Sequence, residues 1–466
     1  MSTLEISPEQ FHKLARQVAK LAADYLRDLD SLPSFPQGVS GTQVEDTFAG
    51  ALPECGMPEQ AVAGLADVLR FSRPPSPRFF GYVLGSGDPV AACADLLASV
   101  LNQNVTAWRS APAAVTIERV AVGWLAEAVG CAGFRGSLTG GGSSANLMGL
   151  AMAREARLPA NEDGARPGIV YASDEVHMSI PKAIGLLGLG RRNLRLISTD
   201  GRFRMNLGEL ERGIEEDLRA GLTPLAVVAS AGTVNCGAID PLPEIAEVAR
   251  RRHLWLHVDG AYGALAAIAA PEKFRGLELA DSVSLDPHKW LYQPLDCGCL
   301  LFRDAAVAQA AFAHSGDYAR ALSADPVEGF AFFEESMELS RRFRALKVWL
   351  SLRYHGLAAF RGAIRADLDH AQLLADQVRT HDDLQLLAPV ELSAVCFRYR
   401  RGDDLNPLNE RILKRVVQRG RVFISNASMR GKFALRACFV NHRTTDEDVR
   451  AVVEEVLAAA KEVAKS

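Results

Sequence analysis

Short apolar runs alternate with helical stretches from about residue 85 to residue 310, and this alternation strongly constrains the fold. The predicted strands cover residues 169–172, 194–197, 225–230, 254–258, 282–285 and 299–302. A chain that passes through a helix between successive strands builds a mostly parallel sheet with helices on both faces. We therefore predict an α/β domain, with a long helix over residues 335–354 leading out of it.

The two ends of the chain differ from this central part, and a length of 466 residues predicts more than one domain. Residues 1–84 form a helical segment, whose first helix is predicted to start at the capping sequence Ser7-Pro8-Glu9-Gln10. The apolar residues of that helix recur at helical spacing and are expected to be buried: Phe11, Leu14, Val18, Leu21, Ala22 and Leu26. Residues 85–375 are predicted to form the large domain. Residues 376–466 form a small α+β domain, with strands over 384–387, 394–399 and 433–440 and helices over 409–419 and 445–461.

Lys289 and Asp259 each follow a strand-like run, in the sequences SVSLDPHKW and LHVDGAYG. A lysine beside another charge in a partly desolvated site can lose its proton and attack a carbonyl. A carboxylate at the end of a buried strand is costly unless it meets a cation. Pyridoxal phosphate satisfies both, because the lysine can form a Schiff base with its aldehyde and the aspartate can pair with its ring nitrogen. Each segment alone is equally compatible with a surface lysine or a helix-capping aspartate.

A phosphate site is predicted at the three consecutive glycines that end at Gly142, just before an apolar helical run. Glycine lets the backbone approach an anion closely, and the start of a helix offers free N–H groups. Ser143 and Ser144 can add hydroxyl donors. A nicotinamide-binding turn is the alternative, but it requires G-x-G-x-x-G directly after the first strand. Here Ala145 occupies the third glycine position, and the segment starts well inside the chain.

His177 follows the strand predicted over residues 169–172, at a strand-to-helix junction. Ligand-binding side chains collect at such junctions in open α/β sheets. A flat imidazole there could stack on a pyridine ring, whereas the alternative is a histidine that caps a helix or fills the core.

Together these segments resemble the group II pyridoxal-phosphate decarboxylases, the family of aromatic-L-amino-acid decarboxylase and glutamate decarboxylase. The resemblance covers nearly the whole chain and is most specific at the sequences DPHKW and HVD. It implies fold type I of the pyridoxal-phosphate enzymes (aspartate-aminotransferase-like), an amino-acid substrate, and a homodimer with its active site at the interface. An aminotransferase or carbon–carbon lyase on the same fold, and a catalytically silent relative, remain alternatives.

The resemblance also assigns roles to single residues. It implies that Lys289 is the Schiff-base lysine, that Asp259 pairs with the pyridinium nitrogen, and that His177 stacks on the cofactor ring. Five further residues are implied to lie around the cofactor: Gly142 and Ser143 at the phosphate, Ala261 under the ring, Thr233 and His288.

Tyr318 aligns with the tyrosine of the family's mobile lid loop, which implies that Cα is reprotonated and an amine is released. Relatives with phenylalanine there release aldehydes instead. A lid tyrosine without a catalytic role is the alternative.

Four residues are implied to contact the substrate: Tyr82, Asn104, Thr106 and Arg436. Arg436 aligns with an arginine that glutamate decarboxylase uses for the substrate α-carboxylate. Asn104 and Thr106, in a segment expected to reach across the dimer, leave less apolar surface for an indole or catechol. The overall resemblance still favours an aromatic L-amino acid, with an acidic, diamino or aliphatic amino acid as the alternative.

Composition limits the remaining possibilities. A net charge of -4 gives no basic surface for nucleic acid. The eight cysteines are scattered and predict neither a disulfide framework nor a metal site. We expect neither a secretion signal nor a membrane span, and hence a cytoplasmic protein.

Overall fold

A computed structural model describes residues 4–314 and 325–465. Its larger sheet has seven strands: β1 (Arg135–Thr139), β2 (Ile169–Ser173), β3 (Leu194–Ile197), β4 (Pro224–Ser230), β5 (Trp255–Asp259), β6 (Ser282–Leu285) and β7 (Gly298–Phe302). They are ordered β1-β7-β6-β5-β4-β2-β3. Only β7 runs antiparallel to its neighbours, β1 and β6. The mostly parallel sheet predicted from the sequence is therefore confirmed.

Helices cover both faces of this sheet and follow its strands along the chain. The helices before and within this part of the chain are α1 (Pro8–Asp28), α2 (Gly41–Phe48), α3 (Pro58–Ala63), α4 (Leu65–Phe71), α5 (Pro89–Leu101), α6 (Pro112–Ala128), α7 (Gly142–Arg157), α8 (Ser179–Leu186), α9 (Leu207–Arg219), α10 (Leu242–Arg251), α11 (Pro287–Trp290) and α12 (Ala305–Phe312). Successive residues of β4 illustrate the two-sided burial. Val227 and Ala229 belong to one hydrophobic core, and Ala226 and Val228 belong to the core on the opposite face.

The C-terminal part has its own antiparallel sheet and core. Its strands are β8 (Leu384–Leu386), β9 (Ala394–Tyr399), β10 (Ser425–Met429) and β11 (Lys432–Cys438), in the order β10-β11-β9-β8. Three further helices accompany them: α13 (Ala345–Thr380), α14 (Leu405–Arg419) and α15 (Asp446–Val463). Val395 and Phe397 of β9 pack with Val449 and Val452 of α15. The predicted domain boundaries after residues 84 and 375 stay a prediction.

The long helix was predicted about ten residues too early. It begins at Ala345 rather than at residue 335, and it continues to Thr380 with a break at Gly356, where φ is 76°. The residues before it are held by ionic contacts instead of helical hydrogen bonds. Glu335 pairs with Arg135, and the buried Arg341 pairs with Glu118.

The first helix starts as predicted, because Ser7 and Gln10 form a reciprocal capping box. The prediction that its apolar face is buried is wrong for this chain. No residue of α1 is buried, and Phe11, Leu14, Val18 and Leu26 are exposed. Within the described residues, no helix combines the length and apolar character needed to cross a bilayer.

Candidate active site

The predicted site residues meet at one edge of the large sheet. Asp259 ends β5, Lys289 follows β6, His177 follows β2, and Gly142 follows β1. The carboxyl ends of all four strands lie at this edge, where ligands bind in open α/β sheets. The residues at this edge enclose a cavity of about 210 Å³. Its lining comprises Val83, Gly142, Ser143, Asn146, His177, Gly232, Val234, Asp259, Ala261, Tyr262, Asp286, His288 and Lys289.

Asp259 is a buried carboxylate held by three uncharged donors. Its Oδ2 accepts a hydrogen bond from Asn146 Nδ2 at 2.9 Å. Its Oδ1 accepts from Ser284 Oγ at 3.1 Å and from the Ala261 N–H at 3.2 Å. These donors fix the orientation of the carboxylate without neutralising its charge.

Asn146 is oriented by a chain of hydrogen bonds that runs into the sheet. His257 Nε2 lies 2.9 Å from Asn146 Oδ1, and His257 Nδ1 lies 2.8 Å from Ser282 Oγ. Trp255 Nε1 donates to the same Ser282 oxygen at 2.9 Å. Asn146 Oδ1 can only accept a hydrogen bond, so His257 Nε2 is the donor and carries the ring proton. His257 Nδ1 then accepts a hydrogen bond from the Ser282 hydroxyl. Complete burial lowers the pKa of His257 to about 4, so the imidazole is neutral at neutral pH and the chain of hydrogen bonds behind Asn146 carries no charge.

His177 belongs to the same network. Its Nδ1 accepts a hydrogen bond from the Ser179 N–H at 3.2 Å and lies 2.8 Å from Ser179 Oγ. Ser179 Oγ in turn accepts from Asn146 Nδ2 at 2.9 Å. Burial lowers the pKa of His177, and the nearby Lys289 charge acts in the same direction, whereas Asp259 opposes them. His177 is therefore a neutral imidazole with its proton on Nε2 at neutral pH.

Lys289 lies beside a second buried acid. Its Nζ is 2.8 Å from Asp286 Oδ2, and His288 Nε2 is 3.5 Å from the same oxygen. His288 Nδ1 donates to the Cys297 carbonyl oxygen at 2.7 Å. The cavity thus contains two carboxylates, of which Asp286 already has a cation and Asp259 has only neutral donors.

The start of α7 forms a cradle for an anion. Gly141 has φ 135°, which only glycine adopts readily, and α7 has no side-chain cap. The N–H groups of Ser144 and Ala145 already donate to the Gly141 carbonyl, whereas Gly142 and Ser143 line the cavity. A Cβ atom on Gly142 would lie 2.6 Å from the Ala261 Cβ, so only glycine fits. A phosphate group suits this helix start.

The residues of the cavity fit pyridoxal phosphate. A lysine amine, an acceptor carboxylate, a flat imidazole and a glycine-lined helix start surround one space. The structure brings together seven of the residues predicted around the cofactor: Lys289, Asp259, His177, Gly142, Ser143, Ala261 and His288. Among the described residues, no group of three or more potential ligand side chains could hold a metal ion.

Thr233 and Arg436 lie just behind the cavity lining. Thr233 closes a turn, since its N–H donates to the Ala238 carbonyl and its Oγ1 accepts from the Ala238 N–H. Arg436 donates from NH1 to the carbonyl of Val234, which lines the cavity. Its Nε is buried without a hydrogen-bond partner among the described residues.

Tyr82, Asn104 and Thr106 do not line the cavity of their own chain. Tyr82 is 56% exposed, with φ 62°, and its ring lies near Phe423. Asn104 Oδ1 accepts from the Arg341 N–H at 2.9 Å, and the Thr106 carbonyl also accepts a backbone hydrogen bond. Tyr318 lies outside the described residues.

Sequence reasoning missed five residues of the site: Asn146, Ser179, His257, Ser284 and Asp286. Part of the signal was present, because alternation along β5 places His257 on the same face as Asp259. The residues paired with them on β6, Ser282 and Ser284, follow the same alternation. Which side chain bonds to which depends on strand register and was not foreseeable.

Comparison with known proteins identifies the class that this fold and site define. The model for the pyridoxal-dependent decarboxylase conserved domain matches residues 68–400. An aromatic-L-amino-acid decarboxylase of Bacillus atrophaeus is 35% identical over 478 residues, covering 99% of this chain and 98% of that protein. A phenylacetaldehyde synthase of Petunia hybrida is 29% identical, covering 93% and 91%. The crystal structure of Oryza sativa TDC with PLP and tryptamine aligns with a TM-score of 0.91 and 28% identity, covering 99% of both chains.

The chain belongs to the pyridoxal-dependent decarboxylase family. The predictions of fold type I, of pyridoxal phosphate as cofactor and of an amino-acid decarboxylase are thereby confirmed.

Proposed function

We propose that this enzyme decarboxylates an aromatic L-amino acid to the amine and CO2, as a cytoplasmic homodimer. The observation that carries the proposal is the convergence of Lys289, Asp259, His177 and the α7 start on one cavity. The aromatic preference is supported by the 35% identical aromatic-L-amino-acid decarboxylase, which matches almost end to end. An acidic, diamino or aliphatic amino acid is the second candidate, because Asn104 and Thr106 are polar.

Gly142 and Ser143 would bind the cofactor phosphate through their N–H groups at the start of α7. Ala261 and His177 would flank the ring, and Thr233 and His288 would support the surrounding shell. Asp259 would face the ring nitrogen. The uncharged donors around Asp259 leave its full charge available to a protonated nitrogen.

Bound at this site, pyridoxal phosphate supplies an electron sink for the pair released when the bond between Cα and the carboxyl group breaks. Asp259 keeps the ring nitrogen protonated. Lys289 would hold the cofactor through its amine and would release it to a substrate amine. His177, as a neutral imidazole with its proton on Nε2, offers a donor without adding positive charge that would compete for Asp259.

Tyr318 is proposed to return a proton to Cα, which makes the amine the product. A tyrosine hydroxyl has a reference pKa of about 10 and remains protonated at neutral pH. The second candidate outcome is an aldehyde, and the similarity to a phenylacetaldehyde synthase is the observation that favours testing it.

The homodimer is supported by apolar surface that the single chain leaves uncovered. Leu96, Leu97, Val100 and Leu101 on α5 are 46–57% exposed, although the helix also packs against α13. Contiguous exposed apolar faces indicate association. The exposed apolar residues of α1 form a second such face. Tyr82, Asn104 and Thr106 would then serve the substrate site across the interface, whereas Arg436 would act from behind Val234 within its own chain.

The test is a screen of the twenty common amino acids and DOPA for amine and CO2 release. We expect an aromatic amino acid to give the highest kcat/KM. CO2 release only from an acidic, diamino or aliphatic substrate would favour the second candidate. A keto acid without CO2 would contradict the decarboxylase assignment itself.

A further inference from the structure

Asp286 is an ionisable residue of the cavity to which the proposed function assigns no role. Its side chain is 4% exposed, and Oδ2 lies 2.8 Å from Lys289 Nζ. The other oxygen, Oδ1, is buried and has no hydrogen-bond partner among the described residues. A buried carboxylate is costly unless a cation compensates its charge, so Lys289 is the group that stabilises Asp286.

We infer that Asp286 is a positioning residue, which holds the unreacted Lys289 in an ion pair and so limits the rate of cofactor capture. This inference rests on the assignment of Lys289 under the proposed function. Only an amine with a free lone pair attacks a carbonyl carbon. Lys289 Nζ must therefore leave its ion pair with the Asp286 carboxylate, 2.8 Å away, before it can attack.

His288 provides the means by which Asp286 releases the lysine. Because His288 Nδ1 donates to the Cys297 carbonyl, its Nε2 is the atom that faces Asp286. A protonated His288 can donate to Asp286 from Nε2, whereas a neutral one presents a lone pair. Burial lowers the pKa of His288, and the positive charge of Lys289 lowers it further. The carboxylates of Asp286 and Asp296 raise the same pKa. Loss of the Lys289 charge therefore favours protonation of His288.

The protons balance in this exchange. When Lys289 bonds to the aldehyde carbon, two of its three ammonium protons leave with the aldehyde oxygen as water. The nitrogen lone pair forms the first new carbon–nitrogen bond and the electrons of one broken N–H bond form the second, while both bonds from the aldehyde carbon to its oxygen break. The third proton passes to His288, which replaces Lys289 as the cationic partner of Asp286. The buried carboxylate thus keeps a counterion throughout.

The test compares the native protein and Asp286→Asn, both stripped of cofactor, in the rate of pyridoxal phosphate capture from pH 7 to pH 10. Capture is followed by absorbance, and borohydride reduction with peptide mapping identifies the lysine. We expect the asparagine variant to capture the cofactor at least fivefold faster at pH 7. The gap should narrow as the pH rises toward about 10, near the reference pKa of lysine, because a neutral amine forms no ion pair. Equal rates at pH 7, or a gap as wide at pH 10 as at pH 7, would overturn the inference.

Pyridoxamine 5′-phosphate is the matched control, because it carries an amine in place of the aldehyde and cannot bond to the lysine. Its Kd should differ by less than twofold between the two proteins. A change as large as that in the capture rate would show that Asp286 acts on the phosphate or ring, which contradicts the inference. Asp286→Ala serves as a second variant with the same expected pH profile if the asparagine variant does not fold. Fixation of the cofactor to a lysine other than Lys289 in the native protein would instead remove the proposed function.

Discussion

Replacing the buried Asp367 by asparagine should stabilise the protein above neutral pH. Asp367, on α13, is 1% exposed. It accepts hydrogen bonds from the Tyr292 hydroxyl at 2.8 Å and from the Asn441 N–H at 3.2 Å. Burial raises the pKa of Asp367 from 3.8 to about 7, although both donors act to lower it. The folded protein therefore ionises this group at a cost that the unfolded chain does not have.

The magnitude and sign follow from the two pKa values. Because the folded value is the higher one, the stability that Asp367 contributes is fully present below about pH 4 and is lost as the pH rises to about 7. Two of the roughly three pKa units lie above pH 5, and each unit is worth about 1.36 kcal/mol. Between pH 5 and pH 8 the free energy of unfolding of the native protein should fall by about 3 kcal/mol relative to that of Asp367→Asn. The amide fits, since its oxygen can accept from Asn441 and its nitrogen can donate to the Tyr292 oxygen.

The assay is the thermal unfolding midpoint of both proteins at pH 5 and at pH 8. An unfolding entropy of about 2.1 cal/mol/K per residue gives about 1 kcal/mol/K for this chain, so the midpoint gap should widen by roughly 3 °C. Asp376→Asn is the control, because Asp376 lies on the same helix with a side chain that is 67% exposed. The control should show no pH-dependent gap. A gap between native protein and Asp367→Asn that is equal at both pH values would refute the buried-charge reasoning.

Lys289→Ala should abolish the visible absorption band of the bound cofactor, and an unchanged spectrum would exclude Lys289 as the anchor. Asp259→Asn should keep the cofactor but lose at least about 100-fold in turnover, because a neutral amide cannot hold the ring proton; unchanged turnover would remove that role. Tyr318→Phe should keep CO2 release while raising the oxygen consumed per CO2, and equal ratios would exclude Tyr318 as the proton donor. Asn146→Ala should destabilise the protein by about 2–4 kcal/mol in denaturant unfolding, because buried donors and acceptors lose their partners. The exposed Asn161→Ala is its control.

The strands foreseen from the sequence include every interior strand and the edge strands β3 and β8, and the two that were missed, β1 and β10, lie at the opposite edges of the two sheets. β6 and β9 were placed at the observed residues because both are continuous apolar or alternating runs. β1 reads RGSLT and β10 reads SNASM, and each begins its sheet order. Edge strands tolerate polar and small residues because one side has no strand to pair with. β1 and β10 use this tolerance and carry little of the apolar signal by which the edge strands β3 and β8 were predicted.

The exposed apolar face of α1 shows a different limit of prediction from sequence. The capping sequence at residues 7–10 predicted the start of the helix and the periodic apolar residues predicted the helix itself, and both are present. The pattern indicates only that one face avoids water, and it does not say which surface covers that face. Phe11 and Val18 stay exposed in the single chain. Under the proposed function, the second subunit of the homodimer would supply the surface that covers them.

The distribution of charge ties the site to its chemistry. Under the proposed function, two acids share one cavity, and each must meet a different cation. Asp286 meets Lys289, with His288 as its alternative partner. Asp259 is surrounded by an amide, a hydroxyl and a backbone N–H, and the histidine behind Asn146 is kept neutral by burial. A protonated His257 would place a positive charge behind Asp259 and weaken its hold on the ring nitrogen. Burial of that histidine in the sheet therefore preserves the acidic partner that the electron sink requires.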